Sequence, residues 1–247
     1  MENKIDHLES IGDKDKTGMF HIDYDEALNE EQKKVVCAGK GPMLVIAGAG
    51  SGKTRTIIYR VAYLIDQGVN PENILLATFT NKAAREMLHR VECLLGLPLK
   101  KMWGGTFHHL GNLILRREAR KIGYDFNFTI MDREDQKDFM ETCITEAGID
   151  LKARRFPKAD MVINIISLSR NTLLSVEEVI ERNFRQFHEW SGQISNIFAL
   201  YQERKKEANA MDFDDLLFYV WELFQADPET RRKYSGQFEH ILVDEYQ

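Results

Sequence analysis

The octet AGAGSGKT, residues 47–54, combines closely spaced glycines with a lysine and a hydroxyl. Together these residues suit the binding of a phosphate chain. Gly48, Gly50 and Gly52 let the backbone turn tightly and aim its N–H groups at phosphate oxygens. Ala47, Ala49 and Ser51 complete the cradle. Lys53 is placed to reach the β and γ phosphates, and Thr54 can hold a magnesium ion. The strict pattern asks for glycine where Ala47 stands, a position that tolerates a small side chain. Hydrolysis needs a second half: a carboxylate for the metal and a group to prepare the attacking water. The run ILVDEYQ, residues 241–247, offers both at the end of an apolar stretch. Asp244 is expected to face the metal, Glu245 to act as general base, and Gln247 to sense the γ phosphate and help place the water. A compact nucleotide kinase would be complete within the interval separating Lys53 from Asp244, so something substantial is inserted between the halves.

Other candidates carry weaker chemistry on their own. In LNEEQ, residues 28–32, Asn29 and Gln32 have the spacing of a helix capping box. Phe79, Thr80 and Asn81 follow an apolar run and stand where open α/β sheets place ligands. An aromatic beside small hydroxyl and amide donors suits stacking on a base and bonding to a phosphate. GGTFHHLG, residues 104–111, repeats that arrangement with Phe107 and His108, and the adjacent histidines need no metal to explain them. In DFDDLL, residues 212–217, Asp212 reads as an N-cap and the other acids as first-turn residues at a positive helix end.

The elements that must position these residues alternate. Periodicity predicts a helix over 29–38, a strand at MLVIA (43–47), a helix over 53–67, a strand at 74–79, a helix over 81–95 and a strand near 103–107. Such alternation implies parallel strands covered by helices. From about Leu110 to Ala208 the chain turns long, charged and helical in period, and the β/α pattern resumes with an amphipathic helix and the closing strand ILVDE. The expected organisation is a flexible acidic leader (1–23), a discontinuous α/β domain (24–109 and 209–247) and an inserted helical subdomain (110–208).

The chain of 247 residues, 43% hydrophobic and 10% aromatic, is able to bury a proper core. No apolar stretch approaches the length of a membrane helix and the opening residues lack the order of a secretory signal, which points to the cytoplasm without membrane association. Cys37, Cys93 and Cys143 have neither disulfide nor zinc spacing and are expected to be reduced, buried thiols. The net charge of -6 is uneven: residues 1–31 hold ten acidic side chains against three lysines. Basic clusters at 116–121, 152–158, 204–206 and 231–233 could meet phosphates or be ordinary solvated helix faces.

LNEEQ, AGAGSGKT, TFTNKAAREM, GTFHH, DFDDLL and VDEYQ, in this order over residues 28–247, resemble the opening motifs of the UvrD/Rep/PcrA group of superfamily 1 DNA helicases. The resemblance implies a P-loop NTPase (RecA-like) parallel sheet with an inserted helical subdomain. It implies an ATP- and magnesium-dependent motor that tracks 3′ to 5′ on single-stranded DNA and unwinds the duplex ahead. It gives Gln32 the reading of the adenine edge and Arg55 a place beside the nucleotide. Phe79, Thr80, Asn81, Phe107 and His108 take places on the DNA strand. His109 departs from the serine usual in the family. The family's later motifs and second RecA-like domain are absent from this sequence, so it is expected to be an amino-terminal part that does not unwind DNA alone. The motor part of a helicase-nuclease and a stand-alone ATP-binding module are the alternatives.

Overall fold

A computed structural model describes residue 20 and residues 22–149 and 156–246. In chain order the helices are α1 (Tyr24–Ala27), α2 (Glu30–Val36), α3 (Lys53–Asp66), α4 (Asn81–Leu95), α5 (Phe107–Glu118), α6 (Arg133–Glu146), α7 (Ala159–Thr172), α8 (Val176–Asn183), α9 (Ser191–Glu207), α10 (Phe213–Ala226) and α11 (Pro228–Gln237). The strands are β1 (Ile74–Thr78), β2 (Trp103–Thr106), β3 (Thr129–Ile130), β4 (Ala210–Met211) and β5 (His240–Val243). The chain divides into two units, one comprising residues 1–110 and 232–247, the other residues 111–231.

The first unit is built on a parallel sheet of order β2-β1-β5. Leu76 of β1 pairs with Gly104 on one side and Leu242 on the other. Parallel strands need crossover connections and cover for both faces. Helices α3 and α4 supply apolar cover: Ile58, Val61, Ala62 and Leu64 from α3 join Met87, Val91 and Leu95 from α4 around Ile74 and Leu76. Thr80 caps α4 by accepting from the Ala83 N–H at 3.1 Å, and Gly96, at φ +64°, closes it in the left-handed conformation glycine favours.

The strand expected at 43–47 does not form. Met43, Leu44, Val45 and Ile46 are exposed, Ile46 at 91%, and pair with no strand among the described residues. An apolar run becomes a strand only where a neighbour accepts its ladder hydrogen bonds and covers its side chains. The side of β5 away from β1 is likewise unpaired among the described residues, and Ile241 is 63% exposed.

The second unit is mainly helical. Its larger core gathers Met140, Cys143 and Ile144 of α6, Val162, Ile163, Ile165 and Ile166 of α7, Val176, Val179 and Ile180 of α8, and Ile194, Ile197 and Tyr201 of α9. Residues 209–231, expected with the opening strands, belong here instead. Strand β4 pairs with β3 rather than with the three-stranded sheet, and Met211, Leu216 and Tyr219 join Leu115, Tyr124 and Phe128 in a second core. Asp212 is the expected N-cap of α10, accepting from the Asp215 N–H at 2.9 Å. Asp215, expected as a first-turn acid at a helix end, is 1% exposed and closes a reciprocal capping box. The Lys205 ammonium, also buried, donates to Asp212 at 2.7 Å and to Asp215, and the Tyr201 hydroxyl donates to Asp212 at 2.9 Å.

Basic residues of two expected clusters are engaged within this unit. Arg116 donates to the Phe126 and Phe128 carbonyls at 2.9 and 2.6 Å, and Lys121 pairs with Asp227 at 2.7 Å. Arg204 pairs with Glu146 and with Glu207, the latter at 2.6 Å. Of the cysteines only Cys143 is buried, and burial pushes its thiol up to about 11. Cys37 and Cys93 are exposed because they occupy the C-cap of α2 and the outer face of α4.

Replacing Lys205 with methionine strands two buried carboxyls, at a cost of about 3–5 kcal/mol near neutral pH. Burial pushes the Asp215 carboxyl up to about 6, with Lys205 opposing the rise. Because its folded value stands above the unfolded one, its proton-linked stabilisation is present below the unfolded value and lost as pH rises through the folded one. Without Lys205 that upper edge moves higher. Lys205→Met is therefore expected to cost less near pH 5 than near pH 7.5 in denaturant unfolding, and equal costs would contradict this arrangement.

Candidate functional site

The register of the sheet decides what meets at its carboxyl edge. Thr78 of β1 pairs with Thr106 of β2, so Phe79 and Phe107 each stand one residue beyond a matched pair. Phe79 is 82% exposed and Phe107 49%. Neighbouring strands lie roughly 5 Å apart, so two exposed aromatic residues leave adjacent strands at the same edge of the sheet. Asn81 opens α4 beside them, and the Thr78 hydroxyl donates to the Thr80 carbonyl at 2.9 Å. His108 is half-buried, and His109 lies against Gly105, where an added Cβ would sit 2.5 Å from its ring. The backbone N–H of His109 donates to the Thr106 hydroxyl at 3.1 Å.

On the other side of β1, Val243 pairs with Ala77, and the Asp244 N–H donates to the Ala77 carbonyl at 2.9 Å. This extends the ladder by one bond and fixes the Asp244 backbone at the same edge. Asp244 is 9% exposed, and burial followed by the neighbouring Glu245 charge raises its carboxyl above the ordinary range, while Lys53 draws it back down. The glycine loop and the end of β5 are thus within electrostatic reach of each other. Glu245 adopts φ +56°. A left-handed non-glycine residue costs about 1–2 kcal/mol, and such strain clusters at functional sites. Gln247 lies outside the described residues.

The loop itself is closed on its own carbonyls. Lys53, at the first position of α3, donates to the Ala47 carbonyl at 3.2 Å and to the Gly48 carbonyl at 3.4 Å. The Gly48 carbonyl also accepts the Ser51 hydroxyl at 2.8 Å. Gly50 and Gly52 take φ values of +77° and +86°, which let the chain reverse into α3. Ala49 lies at the exposed turn, and Thr54 follows Lys53 in the first turn of α3. Such a loop can exchange internal carbonyl partners for an anion, because α3 begins here with unpaired N–H groups and a lysine.

Two contacts were not legible in the sequence. Gln32 forms the expected capping box with Asn29, but its Nε2 also donates to the Ser51 carbonyl at 2.9 Å. Arg55 donates to the Ala27 carbonyl at 2.8 Å and lies over the Tyr59 ring. No spacing rule joins α2 to the glycine loop. For a magnesium ion, the oxygen donors these elements offer are the Thr54 hydroxyl in the first turn of α3 and the buried Asp244 carboxylate just past β5. Among the described residues there is no group of three or more His, Cys, Asp or Glu side chains able to hold a metal, so such an ion would draw further oxygens from phosphate and water.

An α/β unit with a glycine loop, a lysine opening a helix and an acidic strand end defines the class of candidate nucleotide-binding proteins. The profile of the UvrD/REP helicase N-terminal domain matches residues 28–247. The chain belongs to that family. It is 43% identical over 221 residues to the ATP-dependent DNA helicase PcrA of Staphylococcus epidermidis, an alignment covering 89% of this chain and 30% of that protein. The PcrA protein of Staphylococcus aureus is 41% identical over the same length, again with 89% and 30% covered. The chain therefore spans about a third of the length of the curated relatives it matches.

Gly52→Ala tests the loop conformation directly. It forces a side chain into the left-handed region and places a Cβ 2.6 Å from Gln32 Nε2. The expected loss is about 1–2 kcal/mol in thermal or denaturant unfolding; unchanged stability would contradict this loop.

Proposed function

We propose that this chain is the amino-terminal ATP-binding part of an ATP-dependent DNA helicase. Its first unit would be a RecA-like P-loop NTPase core and its second the inserted helical subdomain. The observation that carries this reading is the glycine loop with Lys53 opening α3 in the same unit as a parallel strand that ends on the buried Asp244, whose carboxyl feels the Lys53 charge. Family membership and the PcrA relatives support the same reading.

In this account Lys53 leaves the Ala47 and Gly48 carbonyls and turns its ammonium to the β and γ phosphates. The backbone N–H groups from Gly48 to Thr54 then satisfy phosphate oxygens. Magnesium, when bound with the nucleotide, neutralises charge as the phosphoryl group is transferred, and Thr54 and Asp244 would hold it. Glu245 takes the proton of the attacking water, and Gln247 helps place that water. Gln32 reads the adenine edge and Arg55 lies beside the nucleotide. Phe79 and Phe107 stack on successive bases of single-stranded DNA, with Thr80, Asn81 and His108 beside its backbone.

The whole protein would couple hydrolysis to 3′ to 5′ movement and duplex separation. Residues 1–247 alone would bind nucleotide weakly and unwind nothing. Movement requires two domains that close and open on the nucleotide, and a cationic residue supplied from elsewhere is worth orders of magnitude in phosphoryl transfer.

In the full-length protein, Lys53→Ala and Glu245→Gln are expected to reduce DNA-stimulated ATP hydrolysis by about 100-fold or more. Undiminished stimulated turnover in either variant would defeat the assignment. Phe79→Ala and Phe107→Ala are each expected to weaken single-stranded DNA binding by about 1–3 kcal/mol across base compositions, measured by fluorescence anisotropy; unchanged affinity in both would remove the aromatic pair from the DNA path.

A further inference from the structure

Gln32 has both ends of its amide committed. Its Oε1 accepts the Asn29 N–H at 3.2 Å, and its Nε2 donates to the Ser51 carbonyl at 2.9 Å. Capping uses only the first of these bonds. The second joins α2 to the glycine loop one residue before Gly52, and the loop is moulded around it. A Cβ on Gly52 would sit 2.6 Å from that nitrogen.

We infer that Gln32 is a latch on the glycine loop, a positioning residue that couples occupation of the base site to release of the phosphate site. The inference rests on the nucleotide-binding reading above. A glutamine amide offers one carbonyl and one NH₂ group. An amino-purine edge presents a donor beside an acceptor and asks for that same pair. The carbonyl can accept two bonds and the NH₂ can donate two, so the conflict is one of orientation: the amide is turned to Asn29 and Ser51, and pairing with a base requires it to turn into the plane of that base. When its amide turns to a base, the Ser51 carbonyl loses its partner. The closed loop then rests on its remaining internal bonds, from Lys53, the Ser51 hydroxyl and the Ser51 backbone N–H. Base and phosphate are linked through this bond, and linkage is reciprocal.

Inorganic tripolyphosphate with magnesium probes the phosphate site without a base, and adenosine probes the base site without phosphates. One hydrogen bond's net worth corresponds to a change of about two- to tenfold in affinity. Saturating adenosine is expected to tighten tripolyphosphate binding to the wild-type chain by about that factor. Gln32→Ala and Gln32→Met should bind tripolyphosphate tighter than wild type by a similar factor without adenosine, while binding ATP more weakly. The methionine variant keeps the side-chain volume, and thermal unfolding of both variants checks that the fold is retained. Tripolyphosphate affinity equal to or weaker than wild type in both folded variants, with ATP affinity lost, would overturn the latch and leave Gln32 as a base reader alone. An absence of any adenosine effect in the wild type would overturn it as well. A wild-type chain that binds neither ATP nor tripolyphosphate would instead overturn the nucleotide-binding reading on which the latch rests.

Discussion

The pairing of β1 with β5 is the constraint on which the candidate site depends. It joins segments about two-thirds of the chain apart, and the Asn73 amide donating to Glu239 at 2.6 Å marks where the pairing begins. A slip of one residue would exchange the faces of β5 and carry Asp244 out of line with Lys53. The register from Ile74–His240 to Ala77–Val243 holds it in place, and the Asp244 N–H continues the ladder. Because β1 also pairs with β2, the same strand aligns the acidic end on one side with the exposed aromatic rings on the other. One buried strand thereby relates a candidate phosphate site to a candidate base-stacking edge.

Around this frame the glycine loop is held closed by weak internal bonds. Lys53 and the Ser51 hydroxyl converge on the Gly48 carbonyl, Gln32 holds the Ser51 carbonyl, and Arg55 ties the start of α3 to Ala27. Each such bond contributes little net free energy because water offers alternatives. An anion that satisfies Lys53 and several N–H groups together can therefore replace them. The strain at Glu245 belongs to the same economy of design: a tightly paired strand turns abruptly at the residue proposed to act on water.

Much of this was legible in the sequence where local chemistry and periodicity agree. Helix α4 begins at Asn81 and ends at Leu95 as expected, because Thr80 caps it and Gly96 closes it. Strand β1 and helix α3 follow from an apolar run and from the lysine after the glycine loop. Local signals failed where a distant partner decides the outcome. Met43–Ile46 has the composition of a strand but no ladder neighbour among the described residues. Asp215 is the first-turn acid its position announces, but nothing near it in sequence announces that it is buried with Lys205 folded against it. Gln32 carried a legible capping signal that concealed its second bond, to Ser51. The six motifs in order pointed to the helicase family, to which the chain belongs.

The central claim is that the loop and the end of β5 form one nucleotide site, and the dependence of ATP binding on magnesium tests it most directly. Calorimetric titration of ATP into the wild-type chain and Asp244→Asn, each with magnesium and with a chelator, separates the metal's contribution from that of the phosphate loop. The account predicts that magnesium tightens ATP binding to the wild type by about tenfold or more and does so far less in Asp244→Asn, with the two proteins similar in the chelator. An equal gain from magnesium in both would contradict it.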